Sequence, residues 1–332
     1  MVTDSLLGIS LPDAALEARL AAGMASVEDG LRVAVASDDE FIADASRYLV
    51  EAGGKRFRPL LVLLAAQFGD AGSWGVVPAG VVVELTHLAT LYHDDVMDEA
   101  QVRRGAPSAN SRWDNALAIL TGDFLFARSS AILADLGPEA VRIQAHTFER
   151  LCKGQIRETV GPRAGQDPIE HHLEVVADKT GSLIAASGRY GALMAGAPEE
   201  QVEVLAQFGE RIGVAFQLAD DLVDITSESL QSGKTPGTDL REGVLTLTGM
   251  IAMMSADPAD DRLKDLLGRP LTDDAEHAEA LSLLRAHPAV NEARKQAHAW
   301  SDAARDLLEQ LPAGPPRDVL ALLCDYVVSR TG

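Results

Sequence analysis

Glu84–Gly105 reads ELTHLATLYHDDVMDEAQVRRG. Apolar residues recur at helical spacing up to Tyr92; three acids, Asp94, Asp95 and Asp98, then fall together, and Arg103 and Arg104 follow. On a helix Asp94 and Asp98 share one face a turn apart, and His87, seven residues before Asp94, points roughly the same way. Like charges at this spacing cost a bare helix roughly 0.2–0.5 kcal/mol per pair. A positive group is therefore expected between them.

The same spacing returns as Asp220, Asp221 and Asp224 within FQLADDLVD, residues 216–224. One DDxxD in an acidic chain is as easily a solvated face as a site. Two copies, each in an otherwise apolar helix, point to chemistry. Oxygen-only clusters suit a hard cation, and Mg²⁺ is usually held by one or two carboxylates plus substrate phosphates. The two motifs thus predict Mg²⁺ ions clamping a diphosphate. Cationic donors stand nearby in sequence: Lys55, Arg56 and Arg58 in GGKRFRP, then Arg103 and Arg104, and Lys234 after the second motif. Arginine offers forked contacts to phosphate oxygens, and lysine a point charge.

The rest of the chain bounds the setting. Its 332 residues are 47% hydrophobic, and 29 basic against 50 acidic side chains leave a net charge of -21. That balance argues against nucleic acid or an anionic membrane surface as the main partner. Two cysteines, Cys152 and Cys324, stand far apart without a CxxC, as expected of a cytoplasmic protein. The N-terminal residues lack a basic start and a long apolar run, so no signal peptide is expected. No run of ~20 apolar residues is evident, so no membrane span is expected either.

Helical periodicity dominates, with no convincing alternating strand, fixed-period repeat or long linker. The chain reads as all-α, a single domain of a dozen or more helices. Helices are expected over 12–22, 25–36, 39–51 with Ser37, Asp38 or Asp39 capping, 60–68, 76–99, 115–136, 139–159, 171–195 and 199–226. His171 and His172 are adjacent and point apart on a helix, which favours solvent exposure over metal binding. Met253 and Met254 read as core. GKT at 233–235 is not a phosphate loop, because Glu228 stands where the upstream glycine is required and no strand precedes it.

In combination and order, GGKRFRP, DDVMD, RRG, KTGSL, FQLADDLVD and GKTPGTDLREG resemble the trans-isoprenyl diphosphate synthase (polyprenyl synthetase) family over most of the chain. The resemblance implies an all-α bundle around a central cavity, with a core at 53–330 flanked by helices in 1–52, and a homodimer. It implies that Lys55, Arg58, His87 and Arg104 bind the diphosphate of isopentenyl diphosphate. Asp94 and Asp98 would coordinate Mg²⁺ on the allylic diphosphate, which Arg103 also contacts. Asp220 would hold a further Mg²⁺ with Asp224 in support, and Lys179, Thr180, Gln217 and Lys234 would line the allylic substrate.

The implied reaction is ionisation, condensation and elimination, giving an all-trans polyprenyl diphosphate that seeks membranes although the enzyme does not span one. Departures from the family pattern are Val244, where a lysine is common, and Thr248, where a proline is common. The residues five and four before the first motif, Ala89 and Thr90, are small where aromatics stop elongation early, so a product of about C30–C50 is expected. The alternatives are a geranylgeranyl or farnesyl diphosphate synthase, a class I terpene cyclase, and a non-catalytic partner subunit. A cyclase would lack the Lys-Arg cluster and carry a different second motif. A modulating subunit would have lost acids that this chain keeps.

Overall fold

The computed structural model describes residues 11, 13–227 and 236–329. Helices are α1 (Ala14–Ala34), α2 (Glu40–Glu51), α3 (Phe57–Ala65), α4 (Val76–Met97), α5 (Ala109–Arg112), α6 (Asn115–Leu136), α7 (Pro138–Val160), α8 (Pro168–Val176), α9 (Ser182–Met194) and α10 (Glu199–Thr226). There follow α11 (Thr238–Glu242), α12 (Leu247–Met253), α13 (Asp261–Leu267), α14 (Asp274–Ala286), α15 (Ala289–Leu307) and α16 (Pro315–Ser329). The all-α expectation holds, and several boundaries agree with the sequence reading. Asp39 is the cap of α2, accepting from the backbone N–H groups of Phe41 and Ile42.

Four expectations need correction. The two helices expected before Ala36 are one, because Gly23 does not break α1; it lets the backbone lie against the Leu63 side chain, 2.9 Å from where a Cβ would stand. The helix expected over 171–195 is interrupted by a π turn, Ala177–Gly181. A two-stranded pairing of β1 (Val102–Arg103) with β2 (Ala106–Pro107) occupies the stretch read as a helix break. Met253 and Met254 are exposed, not core. The segment 12–22 also includes a residue outside the described set, and the loop at 228–235, which contains all of GKT with Lys234, lies outside it entirely.

The chain packs as two compact units, each discontinuous in sequence. One is drawn from the chain up to Glu149, from Leu183–Gly209 and from Leu308–Leu320. The other is drawn from Arg150–Ser182, Glu210–Leu307 and the chain from Ala321 on. In the first, α4 is apolar nearly all round and buries Val81, Leu85, Leu88, Ala89 and Tyr92 against Val27 and Leu31 of α1, Leu49 of α2 and Leu125 of α6. Each fully buried leucine contributes about 1.5–3 kcal/mol, enough to override the charge repulsion at the helix end. In the second, Val214, Leu218 and Leu222 of α10 pack with Val176, Leu247, Val290 and Ala293.

By length and composition alone α6 could cross a membrane, with a mean hydropathy of 1.5 over its most apolar window. Asp123, Arg128 and Asp135 interrupt it, so it is not an unbroken apolar run. Its inner face packs on α4, while Ile119 and Leu120 are exposed.

Candidate active site

In the first unit the acidic motif closes α4. Asp98 is its C-cap, donating its backbone N–H to the Asp94 carbonyl at 2.8 Å. Asp94 is half-buried and Asp98 exposed, whereas Asp95 is fully buried. The i, i+4 pair therefore lies toward solvent, and the middle acid, about 100° round the helix, points into the protein.

Asp95 Oδ1 accepts from Arg103 Nε at 2.6 Å, and its Oδ2 meets the hydrogen-bond criteria with no partner among the described residues. Burial raises the Asp95 pKa, while Arg103 opposes that rise. Sequence reasoning gave Asp95 no role. The signal was its position off the charged stripe on an apolar helix.

The arginines are aimed by a two-residue turn. Arg104 and Gly105 both have positive φ, 53° and 79°, between the paired residues Arg103 and Ala106. Two successive left-handed residues match the twist of a tight hairpin, and glycine takes the second place at no steric cost. The turn sends Arg104 back to the GGKR loop, where it donates to the carbonyls of Leu49, at 2.9 Å, and Gly53. A Cβ at Gly54 would stand 3.0 Å from the Arg104 guanidinium carbon. The double glycine is thus the seat of Arg104. Tyr48 braces the far end of the hairpin, donating its hydroxyl to the Pro107 carbonyl at 2.6 Å.

Of the GGKR cations, Arg56 turns inward. It pairs with Glu28 at 2.6 Å and Glu84 at 2.8 Å and donates to Val50 O at 2.7 Å. That is a strut joining α1, α2 and α4. Arg58 has a buried Nε with no hydrogen-bond partner among the described residues, and burial pushes its pKa down to about 10, so it stays charged at neutral pH. Burial first, and then Arg58, Arg104, Arg56 and Arg103, hold His87 well below its usual pKa. Lys55 is exposed at the loop. Arg58, His87 and Arg104 form one electropositive region with a neutral imidazole, suited to a polyanion.

The second unit repeats the arrangement on α10. Asp220 and Asp224 are half-buried and Asp221 is buried. Gln217, one turn earlier, donates Nε2 to Asp221 Oδ1 at 2.9 Å and accepts from Thr180 Oγ1 at 3.0 Å. Burial above all, with Asp239, Asp224 and Glu158 adding negative charge, raises the Asp221 pKa to about 7 against the Gln217 hydrogen bond. Asp224 is held by the start of α11: its carbonyl accepts from Gly237 N at 2.9 Å and its Oδ2 from Asp239 N at 3.4 Å.

The π turn presents Lys179 and Thr180, and such bulges recur at functional sites. It is tied to α7 by Arg150, which pairs with Asp178 at 2.8 Å, and by Arg157, which pairs with the same acid at 2.9 Å. Lys179 Nζ contacts Glu158 Oε2 at 2.5 Å. His171 and His172, expected at the surface, are both largely buried. His171 Nε2 lies 3.2 Å from Arg157 O, because α8 packs against α12 and turns this face inward.

Among the described residues no three His, Cys, Asp or Glu side chains converge as a ready-made metal cage. Each unit instead offers an i, i+4 carboxylate pair, Asp94 with Asp98 and Asp220 with Asp224. That donor set fits Mg²⁺ completed by phosphate and water, and not a fully protein-bound ion. The Arg58 Nε, without an acceptor among the described residues, suits a separate anion.

Comparisons with known proteins agree with this chemistry. The polyprenyl synthetase family pattern matches residues 39–284. Nonaprenyl diphosphate synthase of Mycobacterium tuberculosis is 52% identical over 98% of this chain and 97% of its own. A geranylgeranyl pyrophosphate synthase of Corynebacterium glutamicum, solved with calcium and isoprenyl diphosphate, superposes with TM-score 0.87 at 44% identity, covering 98% of this chain and 100% of that one. A decaprenyl diphosphate synthase of Rhodobacter capsulatus gives TM-score 0.87 at 36% identity over 96% of this chain and 99% of that one. The chain belongs to the polyprenyl synthetase family.

Proposed function

We propose that this protein condenses isopentenyl diphosphate with an allylic diphosphate to build an all-trans polyprenyl diphosphate. One observation carries the reading: in both DDxxD turns the first and last acids lie toward solvent while the middle acid is buried. Mg²⁺ held by Asp94, Asp98, Asp220 and Asp224 would neutralise the diphosphate leaving group. Arg103, Lys179 and Lys234 add positive charge for the same group. Lys55, Arg58, His87 and Arg104 hold the second diphosphate.

The allylic C–O bond breaks, the double bond of isopentenyl diphosphate supplies the electrons for the new C–C bond, and a proton leaves to restore an alkene. No nucleophilic side chain is required. The work is electrostatic neutralisation and positioning. Thr180 and Gln217 place dipoles toward the allylic carbon, and apolar helices keep out water that would quench the cation.

We read the chain as one catalytic domain in the cytoplasm. Cys152 and Cys324 form no disulfide, which supports a reducing compartment. The exposed apolar residues Ile119 and Leu120 of α6 and Val141 and Phe148 of α7, with Phe148 stacked edge-on to Phe126 at 4.6 Å, support pairing with a second copy. Small Ala89 and Thr90 support a product of about C30–C50, in keeping with the nonaprenyl and decaprenyl names of two relatives.

Purified protein incubated with Mg²⁺, isopentenyl diphosphate and primers from C5 to C20 is expected to yield elongated products. Absence of elongation with every primer would defeat the proposal.

A further inference from the structure

Within the second unit a chain of polar side chains leaves the allylic-substrate residues and ends at a histidine to which the mechanism gives no part. Thr180 donates to Gln217, and Gln217 donates to Asp221 Oδ1. On the other side of that carboxylate stands His172 of α8, its Nε2 3.9 Å from Asp221 Oδ2. The same Nε2 is buried and has no hydrogen-bond partner among the described residues. Burial, with His171 adding, lowers the His172 pKa to about 4, so the ring is neutral at neutral pH and carries one N–H. A separation of 3.9 Å is too long for a hydrogen bond, yet a shift of about 1 Å brings it into range. A buried polar atom aimed at a buried carboxylate has one natural partner.

We propose that His172 is a positioning residue for the allylic substrate: its Nε2–H anchors Asp221 Oδ2 and thereby fixes which way the Gln217 amide points. The two ends of a glutamine amide are nearly the same size, so its neighbours alone choose the orientation. With Asp221 held from behind, its Oδ1 demands the NH₂ of Gln217 and leaves the amide oxygen for the Thr180 hydroxyl. With Asp221 able to rotate, the amide can flip, and the Thr180 hydroxyl turns elsewhere. The inference rests on the proposed function, in which Thr180 and Gln217 line the allylic substrate.

The test compares full-length wild type with His172→Leu and His172→Gln, varying the allylic primer and isopentenyl diphosphate separately. Leucine removes the donor and keeps the bulk; glutamine supplies an amide N–H that reaches the same oxygen. His172→Leu should lower Tm only slightly, because Asp221 Oδ2 loses its donor while the buried bulk is kept. It should leave the KM for isopentenyl diphosphate unchanged and lower kcat/KM for the primer by about tenfold to a hundredfold. His172→Gln should recover most of that loss.

An active wild type whose leucine variant has unchanged constants overturns the inference alone. So does a leucine variant that loses Tm and both substrates' constants together, or a glutamine variant no better than leucine. A wild type inactive with every primer overturns the function reading itself.

Discussion

Arg103 Nε lies 2.6 Å from Asp95 Oδ1, so the arginine that follows the first acidic motif is tied to that motif's buried middle acid. The pair fixes the hairpin to the end of α4 and leaves Arg103 only a quarter exposed. Asp95→Ala would strand the guanidinium and release the hairpin. We expect a loss of about 1–3 kcal/mol in urea unfolding, with a weaker hold on the allylic diphosphate. Unchanged stability would show that the pair is ornamental.

Gly53 and Gly54 offer an internally controlled comparison. Both have positive φ, 79° and 140°, so alanine is strained at either by about 1–3 kcal/mol. Only at Gly54 does a Cβ approach Arg104, at 3.0 Å; at Gly53 nothing lies within 4 Å. Both variants should lose stability. Gly54→Ala alone should also raise the KM for isopentenyl diphosphate, by about tenfold, a loss of about one charge-assisted hydrogen bond. Equal KM values in the two variants would remove Arg104 from that site.

His87 sets a pH dependence whose sign is fixed. Its pKa in the folded protein lies well below the ordinary 6.5, so the unfolded chain takes up the proton first as pH falls. The stability it contributes is present above pH 6.5 and is lost below it, at up to about 1.4 kcal/mol per pH unit. His87→Gln should flatten that slope between pH 7 and 5. Diphosphate binding should act the other way, raising the His87 pKa, so inorganic diphosphate should shift its imidazole titration upward in NMR. A titration unmoved by diphosphate would place the anion elsewhere.

Metal affinity should depend on the anion. With no three-ligand cage among the described residues, Mg²⁺ is expected to bind weakly alone and at least tenfold more tightly with inorganic diphosphate present, since phosphate oxygens complete its sphere. Calorimetry in the two conditions decides this. Asp94→Ala should abolish the enhancement while leaving the fold intact, because Asp94 is not one of the buried acids.

Product length is expected to respond to Ala89, which is fully buried among Leu88, Tyr92 and Leu125 and whose carbonyl lies 3.1 Å from where a Cβ on Gly122 of α6 would stand. Ala89→Phe should shorten the product. It should also cost about 1–3 kcal/mol by overpacking. Thr90 is half-buried, and its hydroxyl donates to the His87 carbonyl at 2.8 Å, so Thr90→Phe should shorten the product with less loss of stability. A product distribution unchanged in both variants sinks the ruler.

Much of the fold and part of the site were legible in order of residues. Period-3.6 patterning placed α6 and α10 at their ends, and the i, i+4 spacing put Asp94 with Asp98 and Asp220 with Asp224 because helical geometry is local. Family motifs named the cations. What periodicity alone does not carry is the partner on the buried side. Arg56 belongs to Glu28 and Glu84, each 28 residues away, while the Nε of nearby Arg58 finds no acceptor among the described residues.

The same limit hid the inward acids, the π turn and the two buried histidines. Chain order by itself determined which faces are charged. Tertiary packing decided which of those charges are neutralised from within and which are left for a ligand, because burial and long-range neighbours set the cost of an unpaired charge.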